Sequence, residues 1–267
     1  EFQIFLEIYK RIGRTKGIIE VHQMIGNMYR RQGDSDKATT EYETSLQLSE
    51  EHSLFLFKAD ALNGLGSVCD DKGEYPKAID YFNQSLETAQ NIGDKFREEK
   101  ILGSLGLVSQ DLGQYEKAIA HYKQALEISK QIGNKRNEGH NLGNIGTVYQ
   151  ILGQYEKAIE YYKKAIDNAR SRGFNTFKVI CEDQIYGKKI IKEIKKSFHN
   201  IEISLLRSDS IKNDFNIIRS SKLAILSNST FSWWASFLSN KKKNFLVPSN
   251  FSCTEKRIIL PNETIVI

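Results

Sequence analysis

The chain has 267 residues, 40% apolar and 27% charged, proportions that exclude a low-complexity or membrane-embedded polypeptide. Its three cysteines, Cys69, Cys181 and Cys253, are far apart and form no C-x-x-C pair, which excludes a disulfide framework and a structural zinc site. The net charge of +5 is uneven: residues 174–267 hold 15 Lys+Arg against 8 Asp+Glu, and residues 1–173 hold 23 against 25.

In chain order, residues 1–12 read as a lone helix. The sequence Ile12-Gly13-Arg14 that ends it resembles Ile92-Gly93-Asp94 and Ile132-Gly133-Asn134 further on. An array that starts in mid-unit, with glutamate first and no signal-peptide pattern, is expected to be a cytoplasmic piece of something longer. From there the frame Gly-x-x-x-Lys-Ala returns every 40 residues, at Gly33, Gly73, Gly113 and Gly153. A strict period of this length means stacked supersecondary units. A second glycine recurs 7 residues earlier, at Gly26, Gly66, Gly106 and Gly146, each after an aliphatic residue. Inside a helical pattern such a glycine costs about 1 kcal/mol relative to alanine, so it implies close helix approach. An alanine follows each turn (Ala38, Ala78, Ala118, Ala158) and, four residues on, a ring (Tyr42, Phe82, Tyr122, Tyr162). Small and large residues at i and i+4 share one helix face, so each unit is predicted as helix A, tight turn, helix B.

The stretches NLGNIGTVYQILGQYEKAIEYYKKAI (141–166) and LGSLGLVSQDLGQYEKAIAHYKQAL (102–126) resemble tetratricopeptide repeats of the 40-residue, Pins/LGN-like kind, over roughly residues 15–173. The resemblance implies a mainly α fold, a right-handed α-solenoid whose concave A-helix wall grips a peptide or a partner helix. Groove positions on the A helices are then Gln23, Asn27, Asn63, Ser67, Lys100, Ser104, His140, Asn144 and Thr147. Amide and hydroxyl groups suit a partner's backbone, which both donates and accepts; a polar strip facing solvent is the alternative. Some such domains hold a C-terminal carboxylate with Lys, Asn, Asn, Lys and Arg. The matching positions here are Gln23, Asn27, Gly64, Lys100 and Ser104, so three of the five are lost and chaperone-tail capture is not expected.

Past Gly173 the repeat fails. Residues 176–197 read as helical, with Ile180, Ile190, Ile191 and Ile194 amid five lysines, a helix that closes the array. Attraction to a membrane or nucleic acid is the alternative, but no aromatic side chains interleave the lysines for base stacking. Beyond it, short apolar runs at 223–226, 245–247 and 258–260 read as strands. A polar turn at Ser227-Asn228-Ser229-Thr230 opens a helix between the first two. Such a turn after a parallel strand can hold a diphosphate, and it can equally be an ordinary helix N-cap.

The wording DFNIIRSSKLAILSNSTFSWWASFL (214–238) with NFLVPSNF (244–251) is similar to the last donor-site motif of the alpha-1,2-fucosyltransferase family, over roughly residues 200–267. Ser221 and Leu223 stand where that family has Cys and His. The resemblance implies a small α/β Rossmann-like segment that binds GDP-fucose without a metal ion, through Asp214, Asn228, Ser229, Thr230, Phe231 and Ser232. The family's His-x-Arg-x-Gly-Asp is not found in 174–267. Tyr29-Arg30-Arg31-Gln32-Gly33-Asp34 imitates it, but Gly33 is already the repeat-turn glycine, so the likeness is read as coincidence. A tail near 70 residues is too short for both halves of such an enzyme, and turnover by this chain alone is not expected. His22, His52, His121, His140 and His199 have no metal-ligand spacing, and no phosphate loop or nucleophile elbow is present.

The expected organisation is therefore a repeat array at 1–173, a closing helix at 174–199 and a truncated glycosyltransferase-like segment at 200–267. The expected function is a protein-interaction scaffold with no catalytic residues, cofactor, metal or nucleic-acid partner. The alternative is a repeat-bearing fucosyltransferase with GDP-fucose as donor and a glycan as acceptor.

Overall fold

The computed structural model describes residues 2–174, 176–179, 184–205, 223–225 and 244–246. They divide into two compact units between Leu112 and Gly113.

The first unit holds α1 (Phe2–Arg11), α2 (Thr15–Arg31), α3 (Ser35–Glu51), α4 (Phe55–Asp71), α5 (Tyr75–Asn91) and α6 (Lys95–Asp111). The second holds α7 (Tyr115–Gln131), α8 (Lys135–Ile151) and α9 (Tyr155–Ser171), then β1 (Thr176–Val179), α10 (Gln184–Ser197), β2 (Glu202–Leu205), β3 (Leu223–Ile225) and β4 (Asn244–Leu246). From α2 to α9 every helix is 17 residues long, about 25 Å at 1.5 Å per residue.

Helices of equal length follow from punctuation. At the end of α2 the Asp34 N–H donates to the Tyr29 carbonyl (3.0 Å) and the Gly33 N–H to that of Arg30 (3.1 Å), the paired bonds of a Schellman turn. Gly33 takes φ +77° there, which costs glycine nothing. Asp34, Asp94 and Asn134 then cap the next helices by accepting from the N–H three residues on. Ser53 ends α3 with the same pair of bonds at φ 52°, where other helix ends carry glycine.

The helix-interior glycines do what their spacing predicts. A Cβ on Gly66 would stand 2.7 Å from the Phe82 ring, and one on Gly146 2.8 Å from that of Tyr162. In the first unit, Ala78, Phe82 and Ala89 of α5 pack with Ile101, Leu105 and Val108 of α6. In the second, Ala118, Tyr122 and Leu126 of α7 meet Leu142, Ile145 and Val148 of α8 and Ala165 of α9. Burying a ring such as Phe82 contributes about 2–3 kcal/mol.

The helical reading of 176–197 is corrected at its start. Residues 176–179 are a strand, β1, paired in parallel with β2 so that Phe177 stands opposite Ile203, and α10 is the crossover between them. The reason is non-local: Phe177 and Ile203 share a cluster with Ile190 and Ile194 of α10 and with Ile159, Ile166 and Ala169 of α9. Period-2 apolar residues in a four-residue strand become visible only once that partner surface exists. β3 pairs in parallel with β4, Ala224 opposite Phe245, near the expected strands 223–226 and 245–247. These two short ladders do not amount to the Rossmann-like sheet expected of 200–267. Ile180 and the strand expected at 258–260 lie outside the described residues.

Candidate functional site

The A helices of the first unit are α2, α4 and α6, with α2 against α4 and α4 against α6. Their shared wall is a set of fixed ion pairs. Arg97 of α6 donates from Nε and Nη2 to both oxygens of Asp60 on α4, at 3.0 and 2.6 Å, and from Nη1 to Asp94 at 2.6 Å. Arg30 of α2 donates to Asp71 of α4 at 3.0 Å. Burial works against the Arg30 charge, and Asp71, Tyr42 and Asp70 together more than offset it, so its pKa sits above the ordinary value. The hydrogen bond to Asp60 raises that of Arg97.

Lys100 lies one helical turn beyond Arg97. Its side chain is exposed and, among the described residues, makes no ion pair, yet its ammonium pKa is lowered. Desolvation by surrounding protein is the main cause, Asp60 opposes it, and Arg30 and Arg97 add to it.

The expected groove residues separate into kinds. Asn27 is exposed, its amide folded onto the Gln23 carbonyl at 2.8 Å. Ser67 donates to the Asn63 carbonyl and Ser104 to that of Lys100, both within their helices. Gln23 is a structural tie, donating to Ser45 Oγ on α3 (3.0 Å) and the Phe57 carbonyl on α4 (2.9 Å). Asn63 is only 8% exposed and its Oδ1 has no partner. Gly64 faces the Tyr42 ring, where a Cβ would stand 2.4 Å away, so a clamp asparagine has no room there.

In the second unit His140, Asn144 and Thr147 are half-buried on α8. The His140 imidazole is pushed down to about 3 by burial, then by the positive charges of Arg136 and Arg172, and its enclosed Nε2 has no partner. It is neutral at physiological pH.

The fixed pairs Arg97–Asp60 and Arg30–Asp71 escaped sequence reading. The available signal was opposite charge on neighbouring A helices close to one repeat apart. Arg30 and Asp34 are also removed from consideration as a phosphate motif, since Arg30 holds Asp71 and Asp34 caps α3. Asp214, Asn228, Ser229, Thr230, Phe231 and Ser232 lie outside the described residues. Among the described residues no cluster of His, Cys, Asp or Glu could hold a metal ion, and no helix is long and apolar enough to cross a membrane. Cys69 is a free thiol, half-buried, its pKa raised by burial.

Comparison with known proteins adds two families. Residues 154–262 match the profile described as Glycosyl transferase family 11, so a glycosyltransferase-like segment follows the helices and shares α9 with them. No curated protein matches the chain. Among solved structures, BtubC from P. vanneervenii is 22% identical over 60% of this chain and 67% of its own, with a TM-score of 0.54. Aspartyl phosphate phosphatase F from Bacillus subtilis is 18% identical over 67% of this chain and 44% of its own, at 0.56. The Rap conjugation regulator of plasmid pLS20, solved with the Phr* peptide, is 16% identical over 82% and 60%, at 0.55. The chain thus spans about half the length of the phosphatase, and these likenesses show the fold alone. Residues 17–91 and 97–171, more than half of the chain, match the Tetratricopeptide repeat profile, as the 40-residue spacing and the paired helices require: the chain belongs to the tetratricopeptide-repeat family.

Proposed function

We propose that the chain is a protein-interaction scaffold that seats an extended peptide on the A-helix wall of its first unit, with a carboxylate of that peptide opposite Lys100. The observation that carries this is the state of Lys100: exposed, desolvated by surrounding protein and, among the described residues, without an ion pair, beside arginines already committed to Asp60 and Asp71. An incoming carboxylate would pair with the Lys100 ammonium and relieve its depressed pKa without displacing Asp60 or Asp71 from their arginines. The Phr* peptide held by the pLS20 regulator supports the same class of ligand on a related fold. Fluorescence anisotropy with a library of acidic and neutral decapeptides tests it. Acidic peptides should bind selectively, weaken about tenfold in Lys100→Ala and weaken further with salt. Equal binding of both classes, or binding indifferent to Lys100→Ala and Asn27→Ala, would sink the reading.

A second reading, fucosyl transfer from GDP-fucose through a Rossmann-like segment, is favoured by the family 11 match and by β3, which ends at Ile225 three positions before Asn228. GDP-fucose binding that disappears in Asn228→Ala supports it, and no binding above that of GDP-mannose refutes it.

A further inference from the structure

On α6 three unlike residues share one face. Phe96, Lys100 and Gly103 lie at i, i+4 and i+7, within about 60° around the helix and about 10 Å along it. Phe96 is 57% exposed, in the first turn of the helix. Leu56 holds the same register position on α4, which packs against α6, and is 46% exposed. This apolar pair stands one helical turn before Asp60, which Arg97 occupies, and Lys100, which among the described residues has no ion pair. A lone exposed leucine or phenylalanine is ordinary on a protein surface. Two at one register on adjoining helices, beside an uncommitted ammonium, make an amphipathic patch.

Gly103 is an independent mark of the same face. Glycine inside a helix is destabilising, and Gly17, Gly26, Gly64 and Gly66 of the A helices each have a reason, an aromatic ring within 3.0 Å of a would-be Cβ. Gly103 meets nothing within 4 Å. At its register α2 and α4 carry Gln23, which ties helices together, and Asn63, which is nearly buried. Of these three helices only α6 leaves its backbone bare there, and a bare backbone permits close approach of another chain.

The spacing narrows the partner. From Phe96 to Lys100 the helix rises about 6 Å, which an extended peptide covers in two residues at about 3.3 Å each. Side chains two apart on an extended chain point to the same face, and adjacent ones to opposite faces. A peptide with its carboxylate on Lys100 thus brings the residue two positions away over Phe96 and Leu56, and its other side runs over Gly103.

We propose that the A-helix wall of the first unit reads an acidic and a large apolar residue two positions apart in an extended peptide, the acid on Lys100, the apolar side chain on Phe96 and Leu56, and the peptide backbone against Gly103. This rests on the peptide-scaffold reading and adds to it the apolar requirement and the spacing.

Fluorescence anisotropy on the full chain, with labelled serine-rich decapeptides, tests it. Each peptide carries glutamate, with leucine two positions away on either side, with leucine adjacent, or with no leucine. A two-position peptide should bind about tenfold tighter than the adjacent and leucine-free ones, and Phe96→Ala should erase the difference. Phe5→Ala, which removes a comparably exposed ring from α1, should preserve it. Gly103→Ala should weaken the two-position peptide about tenfold while the melting temperature rises, a combination that loss of fold cannot produce. Indifference to leucine, to its spacing, to Phe96→Ala or to Gly103→Ala would each overturn the proposal. So would a dimer of the chain that dissociates in Phe96→Ala, since the patch would then belong to a second copy. Failure of the scaffold reading looks different: no glutamate peptide binds, or Lys100→Ala changes nothing, and the proposal falls with it.

Discussion

Two glycines in the first unit should respond oppositely to the same added methyl. Gly64 lies in α4, where a Cβ would stand 2.4, 2.6 and 2.7 Å from three carbons of the Tyr42 ring, and ordinary contact begins at 3.4 Å. The ring would have to retreat by about 1 Å, the gap between those two distances. It has nowhere to go: Tyr42 is 2% exposed, and Gly26 limits it on another side at 3.0 Å. Overpacking of this kind costs about 1–3 kcal/mol, and a ring held on several sides belongs at the upper end. The helix-propensity gain of about 1 kcal/mol offsets part, leaving Gly64→Ala destabilised by about 2 kcal/mol. Gly103 in α6 has nothing within 4 Å of its would-be Cβ. Gly103→Ala therefore keeps the propensity gain, about 1 kcal/mol. By thermal unfolding followed at 222 nm, the midpoint should fall by about 4–8 °C for Gly64→Ala and rise by about 2–4 °C for Gly103→Ala. A neutral or stabilising Gly64→Ala, or two substitutions with the same sign, would refute the close-approach argument.

Ser53→Gly should stabilise the chain by about 1 kcal/mol, because Ser53 alone among non-glycine described residues holds positive φ, 52°, in a turn that Gly93 and Gly133 fill elsewhere; a lower urea midpoint would contradict this. His140 makes stability depend on pH in a defined direction. Its folded value of about 3 lies below the ordinary imidazole value of 6.5, so the unfolded chain binds the proton first and stability falls as pH drops through 6.5 toward 3. The loss by pH 5 is at most about 2 kcal/mol. Urea midpoints at pH 7.5 and 5 should diverge in the parent and converge partly in His140→Gln. His121, also depressed by burial and Lys117, retains some slope, and equal slopes in both proteins would count against the assignment.

Legibility followed the range of the forces involved. The turn at Gly33, the ring of Phe82 over Gly66 and the eight equal helices were readable, because each rests on contacts within one repeat and every repeat states them again. The wall could be read only in part. Its A-helix location follows from the period, but Gln23, expected to meet a ligand, serves instead to join α2 to α3 and α4. An isolated amide carries no mark of which neighbour claims it.

What the sequence determined by itself is the array: helix length, turn positions, the small–large core and the family, all local and periodic. Tertiary structure alone decided the rest. It made 176–179 a strand by supplying β2 and the α9 face, and it tied Arg97 and Arg30 to Asp60 and Asp71 while leaving Lys100, among the described residues, without an ion pair. It also set an unpartnered amide at Asn168 beside Gly139. Each of these depends on which surfaces meet across elements, and the free energy of a buried charge or amide is settled by that meeting rather than by the residue's identity.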